Sequence, residues 1–154
     1  MPKIDIANIK IDTSTAYPAH LAKAVEGRSR RRLGNAVGLS QFGVNLCTLK
    51  PGAASSLRHW HLSEDEFVYV LEGKVTLCED GGETLLKPGD AAGWKAGVAN
   101  GHCLVNRSPR DVVILEVGSR HVREVAEYSD HDMKYERDGA SHKITRKNGE
   151  PFTS

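Results

Sequence analysis

Between Gln41 and Gly118 the chain is a succession of short β-type runs separated by turn residues, and this pattern constrains the fold most strongly. No segment in this range has the 3.6-residue period of a long helix. The turns are rich in glycine and proline, as in Pro51-Gly52, Asp80-Gly81-Gly82 and Ser108-Pro109. Strands are predicted for the stretches QFGVNLCTLK, EFVYVLEG, KVTLCED, ETLL, AAGW, HCLVNRS and DVVILEVG. Evenly spaced short strands of this kind predict an all-β sandwich or small barrel.

The flanking segments are less regular, so we divide one domain into an N-terminal arm (1–40), a barrel core (41–118) and a C-terminal extension packed on the barrel (119–154). Within the arm, weak alternation over Met1–Ile11 predicts an edge strand, and His20–Val25 predicts a short helical turn. Within the extension, HVREVAEY predicts a strand, YSDHDMKYERDG a loop, and HKITRKNGEPF a hairpin around Asn148-Gly149.

The composition of the 154 residues excludes several classes of protein. Apolar residues make up 39% and charged residues 27%, which is ordinary for a globular domain. The longest apolar runs, Phe67–Leu71 and Val112–Leu115, are far shorter than the about 20 residues of a membrane-spanning helix. The net charge of +1 does not favour a nucleic-acid partner, so the dense basic stretch Arg28–Arg32 is interpreted as a solvated loop or an arm packed on a partner subunit.

The three cysteines are odd in number and have no paired spacing. Cys47, Cys78 and Cys103 therefore do not predict a disulfide framework, and Cys103 is interpreted as a buried structural thiol. The N-terminus has no basic-then-apolar signal segment. We expect a reduced, cytoplasmic protein.

The stretch HWHLSEDE places three potential metal ligands at the start of a predicted strand. His59 and His61 project to the same side of a strand because side chains alternate, and Trp60 projects to the other side. A short polar turn then brings Glu66 back beside the two imidazoles. Two nitrogens and a carboxylate oxygen suit a divalent transition metal.

A second stretch, GHCLVN, offers a further ligand. His102, Leu104 and Asn106 share one face of a predicted strand. By spacing alone, His102 is either a fourth ligand or a hydrogen-bonded structural histidine. The pocket candidates around the ligands are Val68 and Val70, which share the face of Glu66, together with Leu104, Asn106, Asn45 and Cys47.

These residues resemble the two signature motifs of the cupins. The first motif is matched by Gly52, His59-x-His61, Glu66 and Gly73, and the second by Gly89, Lys95-Ala96-Gly97, His102 and Asn106. Lys95 stands where cupins usually have proline, and two extra residues separate Gly97 from His102. The resemblance implies a double-stranded β-helix, that is, a jelly-roll barrel. It also implies one divalent metal ion (Fe, Mn, Ni or Zn) held by His59, His61, Glu66 and His102, and a homodimer.

Three functional hypotheses follow from this resemblance. The first is an enzyme that acts on a small oxygenated metabolite, such as a sugar derivative or a keto or hydroxy acid, by Lewis-acid or oxygen-dependent chemistry. The second is a non-catalytic module that binds or senses such a small molecule with the help of the metal. The third is a barrel that has lost its metal. The remaining histidines, His121, His131 and His142, lie outside the motifs, and SDHDM is interpreted as a solvated loop rather than a surface metal site. Trp60 and Trp94 are assigned to the core.

Overall fold

The computed structural model describes residues 2–152, and β-strands dominate it. The strands are β1 (Arg28–Arg32), β2 (Phe42–Leu49), β3 (His59–His61), β4 (Glu66–Glu72), β5 (Val75–Glu79), β6 (Gly82–Leu86), β7 (Ala91–Trp94), β8 (Cys103–Val105), β9 (Val112–Ser119), β10 (Arg123–Tyr128), β11 (Lys134–Asp138) and β12 (Ser141–Thr145). The helical elements are one-turn pieces: α1 (Ala19–Ala22), α2 (Leu33–Ala36) and the 3₁₀ turns Ile6–Asn8 and Lys23–Val25. No helix within residues 2–152 is long and apolar enough to cross a membrane.

The strands form two opposed walls. One wall is a five-stranded antiparallel sheet in the order β1-β2-β9-β4-β7. The other wall consists of a four-stranded sheet, β12-β11-β10-β3, and a three-stranded sheet, β6-β5-β8. An isolated antiparallel bridge between His59 and His102 joins these two sheets, with N–H···O distances of 3.2 and 3.0 Å. The predicted jelly-roll barrel is confirmed.

Side-chain alternation packs one end of the barrel with apolar groups. On the five-stranded wall, Leu49, Val70, Val112 and Ile114 point inward and are fully buried. Burying each such side chain stabilises the fold by about 2 kcal/mol. A second cluster around Tyr128 and the buried side chains of Ala126 and Met133 packs the chain ends against the other wall. Asn45, Glu66 and Glu116 lie toward the opposite end of the five-stranded sheet.

Most predicted elements between residues 41 and 118 are confirmed, and so is the helical turn around His20–Val25. The turn at Asn148-Gly149 is also confirmed, because Thr145 and Pro151 on either side of it form an antiparallel bridge. The edge strand predicted for the first eleven residues is wrong from residue 2 onward, because the segment contains a 3₁₀ turn at Ile6–Asn8. Met1 lies outside the described residues.

Two stretches predicted as loops are strands. Arg28–Arg32 forms β1 and pairs along its whole length with β2, so its interpretation as a solvated loop is wrong. Lys134–Asp138 forms β11 between β10 and β12. Pairing partners on the neighbouring strands outweigh the low strand propensity of these charged residues. The division of the chain into arm, core and extension stays a prediction.

The turn after β4 depends on a glycine. Gly73 has φ +78°, and a Cβ there would lie 2.7 Å from the Asp111 carbonyl oxygen and 3.1 Å from Val112 Cα. We expect Gly73→Ala to lower the free energy of unfolding by about 3 kcal/mol, because backbone strain and a backbone clash add. Gly52→Ala is the matched control, since Gly52 has φ +87° but open space around it. Urea denaturation measures both variants, and equal losses would contradict the role of the clash.

Candidate metal centre

Strands β3 and β4 bring three of the predicted ligands together. His59 Nε2 lies 3.1 Å from His61 Nε2, and Glu66 Oε1 lies 3.3 Å from His61 Nε2. Glu66 Oε2 lies 3.6 Å from His59 Nε2. The ligand atoms of these three residues all lie within 4.8 Å of one another. Strand parity and the turn before Glu66 therefore produce the juxtaposition expected from the sequence.

His102 joins the group from the next sheet. The backbone bridge to His59 sets the two imidazole centroids 5.1 Å apart, and His102 Nε2 lies 2.5 Å from Glu66 Oε2. The indole of Trp94 stacks on the His102 ring at 3.8 Å with an interplanar angle of 3°, and its Nε1–H donates to Glu79 Oε1 at 2.8 Å. Trp94 thus packs against the core, as expected, but it also fixes the plane of a candidate ligand.

Backbone carbonyls determine the tautomers of two of the histidines. His59 Nδ1 lies 2.9 Å from Leu57 O, and His102 Nδ1 lies 2.9 Å from Asn100 O. A carbonyl oxygen only accepts hydrogen bonds, so each Nδ1 carries the hydrogen and donates it. In the neutral imidazoles, Nε2 is then a bare lone pair directed at the other ligand atoms. This tautomer leaves Nε2 free to bind a metal ion.

The arrangement therefore brings several hydrogen-bond acceptors together at one point. A bare Nε2 on His102 facing the Glu66 carboxylate at 2.5 Å is repulsive unless a proton or a cation lies between them. Three imidazole nitrogens and one carboxylate oxygen are ligands that Zn, Fe, Mn and Ni accept. The residues present fit a divalent transition metal.

The electrostatics of the cluster agree with a site for a cation. When protons on the Nε2 atoms take the place of a metal, burial still raises the pKa of Glu66, but hydrogen bonds from His102, His59 and His61 outweigh it and hold the pKa well below its usual range. Burial lowers the pKa of His61, yet the hydrogen bond and charge of Glu66 raise it on balance. The carboxylate therefore stays ionised beside the imidazoles.

A buried carboxylate lies behind His61. Among the described residues, His61 Nδ1 is buried without a hydrogen-bond partner, and Glu124 Oε1 lies 3.9 Å from it. The Glu124 carboxylate is itself anchored by the backbone N–H groups of Leu62, Ser63 and Val125, at 2.8–3.2 Å. A carboxylate behind a ligating histidine orients the ring and raises its basicity.

We expect Glu124→Gln to weaken metal affinity by about tenfold or more, because the amide keeps an acceptor for the backbone but loses the charge that supports His61. Glu127→Gln is the control, since Glu127 lies on β10 and alternation places it on the opposite face. Titration of the metal-loaded proteins with a competing chelator gives the affinities. Equal affinities for the two variants would contradict a role for Glu124 at the metal.

The cluster lies on the wall of a cavity of about 950 Å³. Of the predicted pocket residues, Asn45, Val68 and Leu104 line this cavity. Val70 and Cys47 are fully buried in the apolar core, where burial raises the pKa of the Cys47 thiol far above its usual value. The Asn106 amide donates to Leu49 O at 2.8 Å and to Arg110 O at 2.7 Å, so it fixes a loop at the base of the barrel.

Sequence reasoning missed the charged residues on this wall. Arg28 and Arg30 line the cavity from β1, and Glu116 lines it from β9. Arg30 binds Glu116 through two hydrogen bonds, Nε–Oε2 at 2.8 Å and Nη2–Oε1 at 2.9 Å. The period-two alternation of Arg28, Arg30 and Arg32 in RSRRR was the available signal, because it places the three side chains on one face of a strand.

The histidines outside the motifs are not part of the cluster. His121 and His142 are exposed and lie at the edge of the cavity. In SDHDM, Asp130 pairs with Arg58 at 2.8 Å and Asp132 pairs with Arg146 at 3.3 Å. These aspartates are paired with arginines, which argues against a surface metal site, but Met133 of this stretch is fully buried, so SDHDM is not wholly solvated.

Comparisons with known proteins place this geometry in context. The model of the Cupin domain family matches residues 45–118. A solved sugar phosphate isomerase from a cupin superfamily, from Silicibacter pomeroyi, is 49% identical, with 99% of this chain and 98% of that chain covered and a TM-score of 0.95. A protein from Acidithiobacillus ferrooxidans, for which sugar phosphate isomerase activity is suggested, is 27% identical over 90% of this chain and 96% of that one, with a TM-score of 0.74.

A polyketide cyclase from Streptomyces resistomycificus shares the fold at 22% identity, with 77% of this chain and 79% of that chain covered and a TM-score of 0.63. A search of functionally curated proteins finds no match to the chain.

Proposed function

This chain belongs to the cupin superfamily, and we propose that it is a metal-dependent isomerase that interconverts the aldose and ketose forms of a phosphorylated sugar. The observation that carries the proposal is the convergence of three histidines, in the tautomer for metal binding where the backbone determines it, and one carboxylate on a cavity wall. The name of the 49% identical protein supports the choice of reaction. The fold alone does not support a particular reaction, because cupin-like barrels host many chemistries.

The reaction requires a polarised substrate oxygen, a correctly positioned substrate and a site from which water is excluded. In an aldose–ketose isomerisation one hydrogen moves between C1 and C2 and one proton moves between their oxygens, so no oxidant or reductant is consumed. His59, His61, Glu66 and His102 would hold a divalent ion, which would supply Lewis-acid polarisation of a carbonyl or hydroxyl oxygen. The cavity volume of about 950 Å³ accommodates a sugar phosphate.

The remaining cavity residues support this chemistry. Val68 and Leu104 are buried apolar residues that line the cavity and exclude water from beneath the bound molecule. Trp94 fixes the His102 ring, and the carbonyls of Leu57 and Asn100 fix the other edges of His59 and His102. The Asn45 amide, 3.4 Å from Glu116 Oε2, offers a donor for substrate hydroxyl groups. Such preorganised contacts hold a substrate in a reactive orientation.

The test is conversion of a panel of aldose phosphates of different chain length, followed by NMR, with protein loaded separately with Fe, Mn, Ni or Zn. We expect one ketose phosphate to form, conversion to stop on chelation, and conversion to return when the metal is restored. Tight binding of a sugar phosphate without conversion by any metal form would overturn the isomerase. It would favour the metal-assisted binding or sensing module instead.

We also retain the homodimer and the cytoplasmic location as predictions. The outer face of the five-stranded sheet supports the homodimer, because Phe67, Tyr69 and Leu71 of β4 and Phe42 of β2 are exposed there. Exposed apolar groups that share one face of a sheet are common at protein–protein contacts.

A further inference from the structure

We propose that Arg28 forms an anion subsite of the cavity and binds the phosphate group of the substrate; this inference rests on the proposed function. Arg28, Arg30 and Arg32 point to the interior face of β1, opposite the inward-facing Leu49, Cys47 and Asn45 of β2. Their exposure rises along the strand, so Arg28 is the most buried of the three, with 8% of its surface exposed. All three line the cavity that contains the metal cluster.

The three arginines differ in their counter-charges. Arg32 pairs with Asp12, at 2.7 Å, and Arg30 pairs with Glu116 through both carboxylate oxygens. Arg28 is in none of the salt bridges formed within residues 2–152. It donates only to backbone carbonyls, Nη1–H to Ser55 O at 2.8 Å and Nη2–H to Ser14 O at 3.0 Å. Arg28 is therefore a largely buried arginine that pairs directly with no carboxylate within residues 2–152.

Burying a charge without a counter-charge costs free energy. The pKa of Arg28 reflects this cost. Burial, followed by the charge of neighbouring Arg30, lowers the pKa of Arg28 from its ordinary value. A guanidinium nevertheless remains ionised, so the group keeps a full positive charge in a poorly solvated place. An anionic ligand in the cavity would neutralise it. The two carbonyls use two of the five N–H donors, which leaves three for a ligand.

Phosphate is the anion whose chemistry fits this group best. A phosphate monoester carries up to two negative charges and several acceptor oxygens, and the planar guanidinium fork matches them. The Arg30–Glu116 pair beside Arg28 is internally neutral, so it does not cancel the charge of Arg28. A carboxylate ligand would satisfy fewer of the free donors.

The subsite lies in the same cavity as the metal cluster and is linked to it by a short segment. Arg28 and Arg30 both donate to Ser55 O, and the next residue, Ser56, places its Oγ 3.2 Å from His59 Nδ1. A substrate with a phosphate at one end and hydroxyl or carbonyl oxygens at the other would contact both groups by spanning this cavity. This pairing favours a phosphorylated sugar over a free sugar.

The experiment is calorimetric titration of metal-loaded protein with inorganic phosphate at constant ionic strength, comparing wild type, Arg28→Gln, Arg28→Lys and Arg107→Gln. Glutamine still offers N–H donors to the two carbonyls but carries no charge. Arg107 is half exposed, pairs with Glu83 and does not line the cavity, so it controls for net charge. We expect Arg28→Gln to weaken phosphate binding by about tenfold or more, as loss of a charged hydrogen bond does. Arg28→Lys is expected to be intermediate and Arg107→Gln unchanged.

Two results would overturn the proposal. One is wild-type protein that does not bind millimolar phosphate. The other is a folded Arg28→Gln variant, with native circular dichroism, that binds phosphate as well as wild type does. If Arg28→Gln does not fold, unchanged binding by Arg28→Lys overturns it equally, because lysine keeps the charge and loses the fork.

The experiments distinguish a wrong assignment of the phosphate subsite from a wrong assignment of the isomerase function. In the His59→Ala/His61→Ala variant, which lacks the metal ligands, phosphate binding at Arg28 is expected to persist. Persistent phosphate binding without isomerisation by any metal form would retain the subsite and remove the isomerase. Isomerisation whose KM is unchanged by Arg28→Gln would retain the isomerase and remove the subsite.

Discussion

The His59→Ala/His61→Ala double variant is expected to bind no transition metal, whereas the wild-type chain retains a stoichiometric ion. The variant loses both imidazoles of β3, whose Nε2 atoms lie 3.1 Å apart beside the Glu66 carboxylate. Removing two direct ligands is expected to weaken metal affinity by more than the about 10–100-fold that is lost when a residue behind a ligand is changed. Elemental analysis of untagged protein, purified without chelator, measures the metal content.

The matched control is His121→Ala/His142→Ala, which also removes two histidines. Both are exposed at the edge of the cavity and neither belongs to the cluster, so this variant is expected to keep its metal. Circular dichroism establishes that both variants are folded. Equal metal content in the two folded variants would contradict the assignment of the site to β3.

Glu116→Gln is expected to lower the free energy of unfolding by about 3 kcal/mol at neutral pH, because it leaves Arg30 partly buried without its counter-charge. The Arg30 and Glu116 side chains are each only 18% exposed, and the positive charge of Arg28 also acts on Glu116 and Arg30. Urea denaturation gives the loss. Arg30→Met/Glu116→Leu removes both charges and is expected to cost less than Glu116→Gln alone. A larger cost for the double variant would contradict this account.

The Arg30–Glu116 ion pair also predicts that the free energy of unfolding depends on pH. Burial raises the pKa of Glu116, but the charge and hydrogen bonds of Arg30 outweigh burial and lower the pKa below its ordinary value. The stabilisation is therefore fully present above the unfolded-state pKa of about 4.3 and is lost as the pH falls through the lower folded-state pKa. Other ion-paired carboxylates behave likewise, so the informative quantity is the difference between wild type and Glu116→Gln. This difference is expected to shrink in acid, and a constant difference from pH 7 down to the acid transition would contradict the linkage.

Local patterns predicted the core of the barrel and part of the site. Short β-type runs bounded by turn residues predicted β2 in QFGVNLCTLK and β9 in DVVILEVG. In β2, however, Cys47 and Leu49 face the core, and the alternating apolar residues that begin at Phe42 lie on the other face. The parity of His59 and His61 and the turn before Glu66 predicted their approach. These features depend on a few consecutive residues, which a single sequence displays directly.

Other parts of the structure depend on partners that are distant in the chain. The bridge that brings His102 to His59 joins residues 43 positions apart, and spacing alone left a structural role for His102 open. β1 and β11 are rich in charge, and their strand conformation follows from pairing with β2 and with β10 and β12. The inward direction of Arg28 follows from that pairing and from partners such as Glu116, 86 residues beyond Arg30. The net charge and the basic character of Arg28–Arg32 had instead favoured a solvated position for this stretch.

The most direct test of the central claim is an anomalous-difference map from crystals of the metal-loaded protein, with data collected on either side of the absorption edge of the bound metal. The account predicts one strong peak in contact with His59 Nε2, His61 Nε2, His102 Nε2 and the Glu66 carboxylate, inside the cavity that Arg28 lines. A peak at another group of residues, or clear density for these four side chains without a peak in crystals grown with excess metal, would contradict it.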